Sequence, residues 1–149
     1  MISVKVFGAK EAKDKLRGYG VVIKGASAKT IRNVGLRVMN QAKINAPVDM
    51  GELKSSIGID FSPEIPQAIV GTNLSYAPAI EYGSRPHFPP VEPLEEWAKR
   101  HGMEGAGYAI ARKIAERGTS PKPFMRPAAM EAQGYLKAEM SREIKNAIK

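Results

Sequence analysis

Prolines set the limits on what this chain can form. Each one fixes its own φ, removes a backbone donor and pushes the preceding residue out of the helical region. Pro47 therefore closes any helix arriving from the N-terminal side, and Ser62-Pro-Glu-Ile-Pro66 interrupts a strand region. Pro78, Pro86, Pro89, Pro90 and Pro93 punctuate the middle, and Pro121 and Pro123 form a stiff linker. Pro127 is placed to open a last helix, because a missing N–H costs nothing in a first turn.

Regular structure must lie between these points. Ile2, Val4 and Val6 alternate with Ser3 and Lys5, which predicts a short half-buried edge strand. Ala12 and Leu16 predict a short amphipathic helix over 9–17, stopped near Gly18 and Gly20. Ile31, Val34, Val38 and Ala42 step by three or four and predict a longer helix from about residue 26 to 45. Asp49 and Gly51 predict a tight turn, aspartate by bonding its own backbone and glycine by accepting positive φ. Leu53, Ile57, Ile59 and Phe61 share one parity, predicting a strand over 53–61 with Ala68–Val70 and Gly71 as its antiparallel neighbour.

Further on, Pro78 can start one helical turn that Gly83 ends, and Arg85 to Val91 is expected as an extended, exposed loop. Leu94, Trp97, Ala98 and His101 share a side of a helix that starts near Pro93 and closes at Gly102. Ala106, Ile110 and Ile114 predict another helix over about 105–117, with Gly118 just past its end. The last helix is expected to bury Leu136, Met140, Ile144 and Ala147 or Ile148. The 149 residues read as one domain.

Charge is unevenly placed. Residues 1–45 hold ten basic residues against Glu11 and Asp14, which accounts for the whole net charge of +8. Such an asymmetry points to an acidic partner, nucleic acid or a negative protein surface, and equally to a lysine-rich solvated helix face. Aromatic residues for stacking on bases are few there, only Phe7 and Tyr19. The start of the chain has neither the pattern of a secretory leader nor the apolar length of a span, so a soluble protein, with no membrane partner, is expected.

No set of residues suggests catalysis. The absence of cysteine removes disulfides, thiolate chemistry and cysteine-based zinc sites. His87 falls in a proline-rich loop and His101 near a helix end, without the spacing of a metal pair. Gly102-Met-Glu-Gly-Ala-Gly107 has no strand before it and no Lys-Ser/Thr pair after it, so it reads as a helix-to-helix turn and not a phosphate loop. Glu92, Glu95 and Glu96 suit the N-terminal end of their own helix. Glu81, alone among aromatic and small residues, could be catalytic, could cap or could bind an arginine, and with no second carboxylate nearby an ion pair is favoured. No catalytic, cofactor-binding or metal residue is expected, and no cofactor. A hydrolase using Glu81 and His87 is the weakest reading.

Three segments nevertheless form an ordered set: Ala46-Pro-Val-Asp-Met-Gly-Glu-Leu-Lys-Ser-Ser-Ile57, Val70-Gly-Thr-Asn-Leu-Ser-Tyr-Ala-Pro-Ala-Ile-Glu-Tyr-Gly83 and Pro121-Lys-Pro-Phe-Met-Arg-Pro-Ala128. In this order they resemble the tailed-phage head-to-tail joining, or tail-completion, family typified by gene product ten of phage Hong Kong ninety-seven. The resemblance covers roughly residues 9–148 and departs from the commonest pattern at Met50, where threonine is frequent.

The resemblance implies an α+β fold: a curved, mostly antiparallel sheet flanked by a long helix of the N-terminal half and a C-terminal helix. Residues 86–121 then form a proline-flanked insertion with two short helices. It further implies a non-enzymatic virion protein of phage or prophage, made in the host cytoplasm and placed at the neck. The expected partners are further copies in a ring, with six-fold symmetry plausible for a tail tube, the head connector or portal-adaptor proteins, and the tail tube or tail terminator. DNA would pass through the lumen without being read. Tyr76, Pro78, Glu81, Tyr82, Arg85 and Phe88 are the interface candidates, although the tyrosines could instead cover the protein's own sheet. Pro47, Asp49, Gly51, Leu53, Gly71, Gly83, Phe124, Arg126 and Pro127 are expected to shape the joints. The alternative from another class is a basic nucleic-acid-binding domain using residues 1–45.

Overall fold

The structure, a computed structural model, describes residues 9–148, with side chains from Arg17 onward. The strand expected over Ile2–Val6 lies outside the described residues. The fold is α+β, and the described residues form six helices and one hairpin in the order α1 (Ala9–Asn45), α2 (Glu52–Ser56), β1 (Gly58–Phe61), β2 (Ala68–Gly71), α3 (Ala77–Tyr82), α4 (Val91–Arg100), α5 (Gly107–Arg117) and α6 (Met125–Ile148). None of the described helices is long and apolar enough to cross a membrane.

The two long helices form the spine. They run antiparallel, as the matched pairs Lys29 with Glu143, Asn33 with Glu139, Arg37 over the Tyr135 ring and Asn45 with the Phe124 carbonyl show. Towards Asn45 the seam is apolar: Ala42, Ala46, Phe124 and Ala128 are buried together with Leu53, Ile57 and Ala77. Phe124, 2% exposed, is the largest side chain fully enclosed there.

The hairpin lies across α1. Its strands pair antiparallel from Gly58 with Gly71 to Phe61 with Ala68. Gly35 lets the helix approach closely, since a Cβ there would stand 2.7 Å from Ile59 Cδ1 and 3.0 Å from Ala68 Cβ. Arg32 covers the outer edge, its guanidinium 4.4 Å from the centre of the Phe61 ring.

Four expectations are corrected. The first helix does not stop at Gly18 or Gly20 but continues through them into the segment from residue 26, giving one helix of 37 residues. Glycine lowers helix stability without blocking it, as proline does. The strand expected over 53–61 is a turn of helix followed by a strand only from Gly58, because Leu53 and Ile57 stand four apart and enter the core from α2 and its end. In α6 the buried positions are Ala128, Ala132, Glu139 and Glu143. Leu136, Met140 and Ile144 are half-buried on the flank, and Ala147 and Ile148 are exposed. The helix also begins at Met125, two residues before the proline expected to open it.

Residues 86–121, expected as an insertion, form an arm of two helices. α4 and α5 fold on each other around Ala98, Gly107 and Ala111, and the Glu95 carboxylate accepts the N–H groups of Gly105 and Gly107 at the start of α5. The glycine-rich segment 102–107 is therefore the expected turn between helices.

Candidate functional site

All three segments that carry the resemblance meet at the Asn45 end of α1. The outgoing chain at residues 80–84 and the returning chain at 119–126 lie side by side, joined in steps. Ser84 and Thr119 form an isolated antiparallel bridge, with backbone bonds of 3.2 Å in both directions. Lys122 N–H donates to the Ile80 carbonyl at 2.7 Å. Glu81 completes the joint: its Oε2 accepts from Phe124 N–H at 2.8 Å and Met125 N–H at 2.9 Å, and its Oε1 from Arg126 N–H at 2.9 Å.

This carboxylate satisfies the start of α6. A helix begins with up to four N–H groups that have no partner inside it. Three of them are taken by Glu81, and Pro127, next in line, has none to offer. Glu81 is 6% exposed. Burial works against its charge, but the N–H groups of Met125, Phe124 and Arg126, with the Arg126 cation, outweigh it and hold the carboxyl below its ordinary value. The favoured sequence reading, an ion pair with an arginine side chain, is thus replaced by capping of a helix terminus.

Gly83 and Gly118 flank the bridge at φ 76, ψ 178 and φ 71, ψ −160. That region of backbone space belongs almost only to glycine. A side chain at either would also run into backbone across the neck, at the Thr119 carbonyl for Gly83 and the Ser84 carbonyl for Gly118.

Beside the joint lies a groove between the body and the arm. Two adjoining cavities of about 590 and 560 Å³ share Pro47, Asp49, Tyr76, Ile80 and Trp97 as walls. Arg100 from α4 reaches Asp49 with two hydrogen bonds, Nε to Oδ1 at 3.2 Å and Nη2 to Oδ2 at 2.7 Å. The hydrogen bond from Arg100 holds the Asp49 carboxyl below its ordinary value. Asp49 therefore serves the arm and not its own turn, whose geometry falls to Gly51 at φ 85. Tyr76 OH donates to Glu52 Oε2 at 3.4 Å, and burial together with that carboxylate pushes the hydroxyl pKa up.

The remaining interface candidates divide in two. Pro78 lies in the first turn of α3, and Tyr82, 73% exposed, edges a second apolar hollow with Pro123, Pro127 and Met130. Arg85 and Phe88 stand apart on the arm. Phe88 is 57% exposed and meets the Tyr108 ring edge-on at 6.2 Å. Of the structural candidates, Leu53 and Phe124 are core residues, and Gly71 ends β2 opposite Gly58.

Neither histidine is a hydrogen-bond partner of Glu81. His87 Nδ1 lies 2.9 Å from its own loop's Arg85 carbonyl, and His101 stacks on Trp97 with ring centres 4.2 Å apart. Among the described residues no group of three His, Asp or Glu could hold a metal ion. Arg100, Glu95 and Gly118 were not singled out for these roles from sequence, since each depends on a partner ten or more residues away. Compared with known protein families, characterised proteins and solved structures, the chain matches none.

Proposed function

We propose that this chain is a structural subunit of a tailed-phage neck, a tail-completion component that forms a ring joining head to tail and acts without catalysis. The reading rests on the resemblance of three ordered segments. One observation supports it most: those segments, far apart in sequence, build a single joint through Glu81 and Asn45 and leave Tyr82 and Tyr76 at the surface beside it. Residues that a shared architecture would need together are together, and Glu81 is engaged in structure through both oxygens.

In this reading the ring offers one face to the head connector and another to the tail tube or terminator, with DNA passing through the lumen. The protein belongs to the virion and to the host cytoplasm during assembly. Phage produced without this protein should yield full heads and free tails that do not join, seen by electron microscopy. Normal virions from such a deletion would refute the proposal.

Binding of nucleic acid through the basic N-terminal third is the second reading. From Arg17 to Lys43 there are six cations and no acid. Lys29, Arg32 and Arg37 are, however, engaged by Glu143, Phe61 and Tyr135 within the fold. A DNA titration that loses affinity steeply with salt would favour it.

A further inference from the structure

We propose that the groove between α3 and α4 receives the proline-rich loop Arg85–Pro90 of a second copy of this chain, with Phe88 seated against Tyr76 and Trp97. It rests on the reading of the chain as a ring subunit and names the contact by which neighbours would join.

The groove has the make-up of a peptide site. Its walls are apolar and aromatic, with Pro47, Tyr76, Ile80, Leu94 and Trp97, and it is crossed by the Asp49–Arg100 pair. Aromatic-lined grooves of this kind take extended proline-rich segments, which lose little conformational entropy on binding. The chain itself carries such a segment. Arg85, Pro86, His87, Phe88 and Pro90 are all exposed, and Pro90 has φ −56 and ψ 134, the polyproline geometry.

The charges match as well. One of the two cavities reaches Glu52 and the other Lys122, while the loop carries Arg85 before its prolines and runs into Glu92 after them. Arg85 at Glu52 and Glu92 at Lys122 fix a single direction for the inserted loop.

Within one copy the loop is engaged elsewhere. His87 N–H donates to the Ile114 carbonyl at 3.4 Å and Phe88 contacts Tyr108, so the loop is held against α5. The groove is lined by α4 and the body, with no residue of α5. Loop and groove are thus different surfaces of one arm, and pairing them is head-to-tail. A head-to-tail contact between identical chains closes into a ring or runs on as a filament, whereas a two-fold contact stops at a dimer.

Trp97 is the sole tryptophan, so the full chain carries its own reporter. A synthetic peptide of residues 84–91, titrated into it, should change Trp97 fluorescence saturably. A Phe88→Ala peptide should bind about tenfold more weakly, the loss typical of an aromatic anchor. Unchanged Trp97 emission up to millimolar peptide would overturn the proposal.

A second experiment uses two full-length variants, Phe88→Asp in the loop and Leu94→Asp in the groove. Each should fail to assemble alone, and an equimolar mixture should give one-to-one dimers by light scattering, because only one intact loop and one intact groove remain. A mixture no larger than its components overturns the contact. Rings that persist in both single variants overturn it too, but leave the ring reading standing. Conversely, peptide binding combined with normal virions in the deletion phage would keep the contact and remove the neck.

Discussion

Glu81 does for α6 what a serine or aspartate at the preceding position does for most helices, but it does so from 43 residues away. Replacing it by alanine would leave three buried or half-buried N–H groups without a partner, at a cost of about 2–4 kcal/mol. Glu81→Gln keeps the shape but loses the charge, and about half that loss is expected in denaturant unfolding at neutral pH. The pH dependence has a definite sign. The folded carboxyl stays ionised to lower pH than the unfolded one, so its stabilisation is complete above the unfolded value, near 4.5, and fades as pH falls through the lower folded value. The gap between wild type and Glu81→Gln should accordingly narrow in acid, and a gap that widened would contradict the capping role. From sequence, Glu81 stood out as a lone carboxylate among apolar neighbours, but nothing local could name backbone N–H groups across the fold as its partners.

At the level of elements, glycine separates what could be read from what could not. Gly18 and Gly20 suggested a helix end, yet they and Gly25 lie inside α1 with nothing within 4 Å of the place a Cβ would occupy. Alanine at any of them should stabilise the protein by up to about 1 kcal/mol, read as a raised denaturation midpoint. A loss there would mean that the helix is interrupted. Gly118→Ala is the opposite case: strained φ and a collision with the Ser84 carbonyl should cost at least about 2 kcal/mol. Loss of the neck bridge should also alter Trp97 fluorescence, since the arm that carries it would shift. Helix ends at Pro47, Gly83, Gly102 and Gly118 were legible because proline and positive-φ glycine act locally. The split of 53–61 into α2 and β1 was not, since Leu53 and Ile57 satisfy helix and strand spacing alike.

For the molecule as a whole, the α1–α6 seam decides what is firm. With Lys29 opposite Glu143, the last residue of α6 falls near residue 24 of α1, so about 15 residues of α1, roughly 22 Å of helix, extend past it. Residues 17–25 of that stretch are exposed apart from the half-buried Val22, and a helix with so little packing is marginal at that length. Backbone amides of residues 17–25 should therefore exchange with solvent at least tenfold faster than those of 30–46, measurable by mass spectrometry. Equal protection would show that the overhang is covered, as a neighbouring subunit would cover it. The α+β fold class was legible through the resemblance, and the helix boundaries at the prolines were legible from their spacing. The seam was not: Glu139 and Glu143 are buried where an apolar stripe was expected, because Lys29, Asn33 and Arg142 meet them there.

The neck between body and arm also determines where a mechanical load would travel. A pull on residues 86–117 enters the body along two strands at once, through Gly83 into α3 and through Gly118 towards α6, and beside them through the Asp49–Arg100 pair. Those strands are cross-linked in series by the Ser84–Thr119 bridge, the Lys122–Ile80 bond and the three bonds of Glu81. Tension that spreads the two strands must peel these rungs one after another, starting at the bridge, and it reaches the anchored root of α6 last.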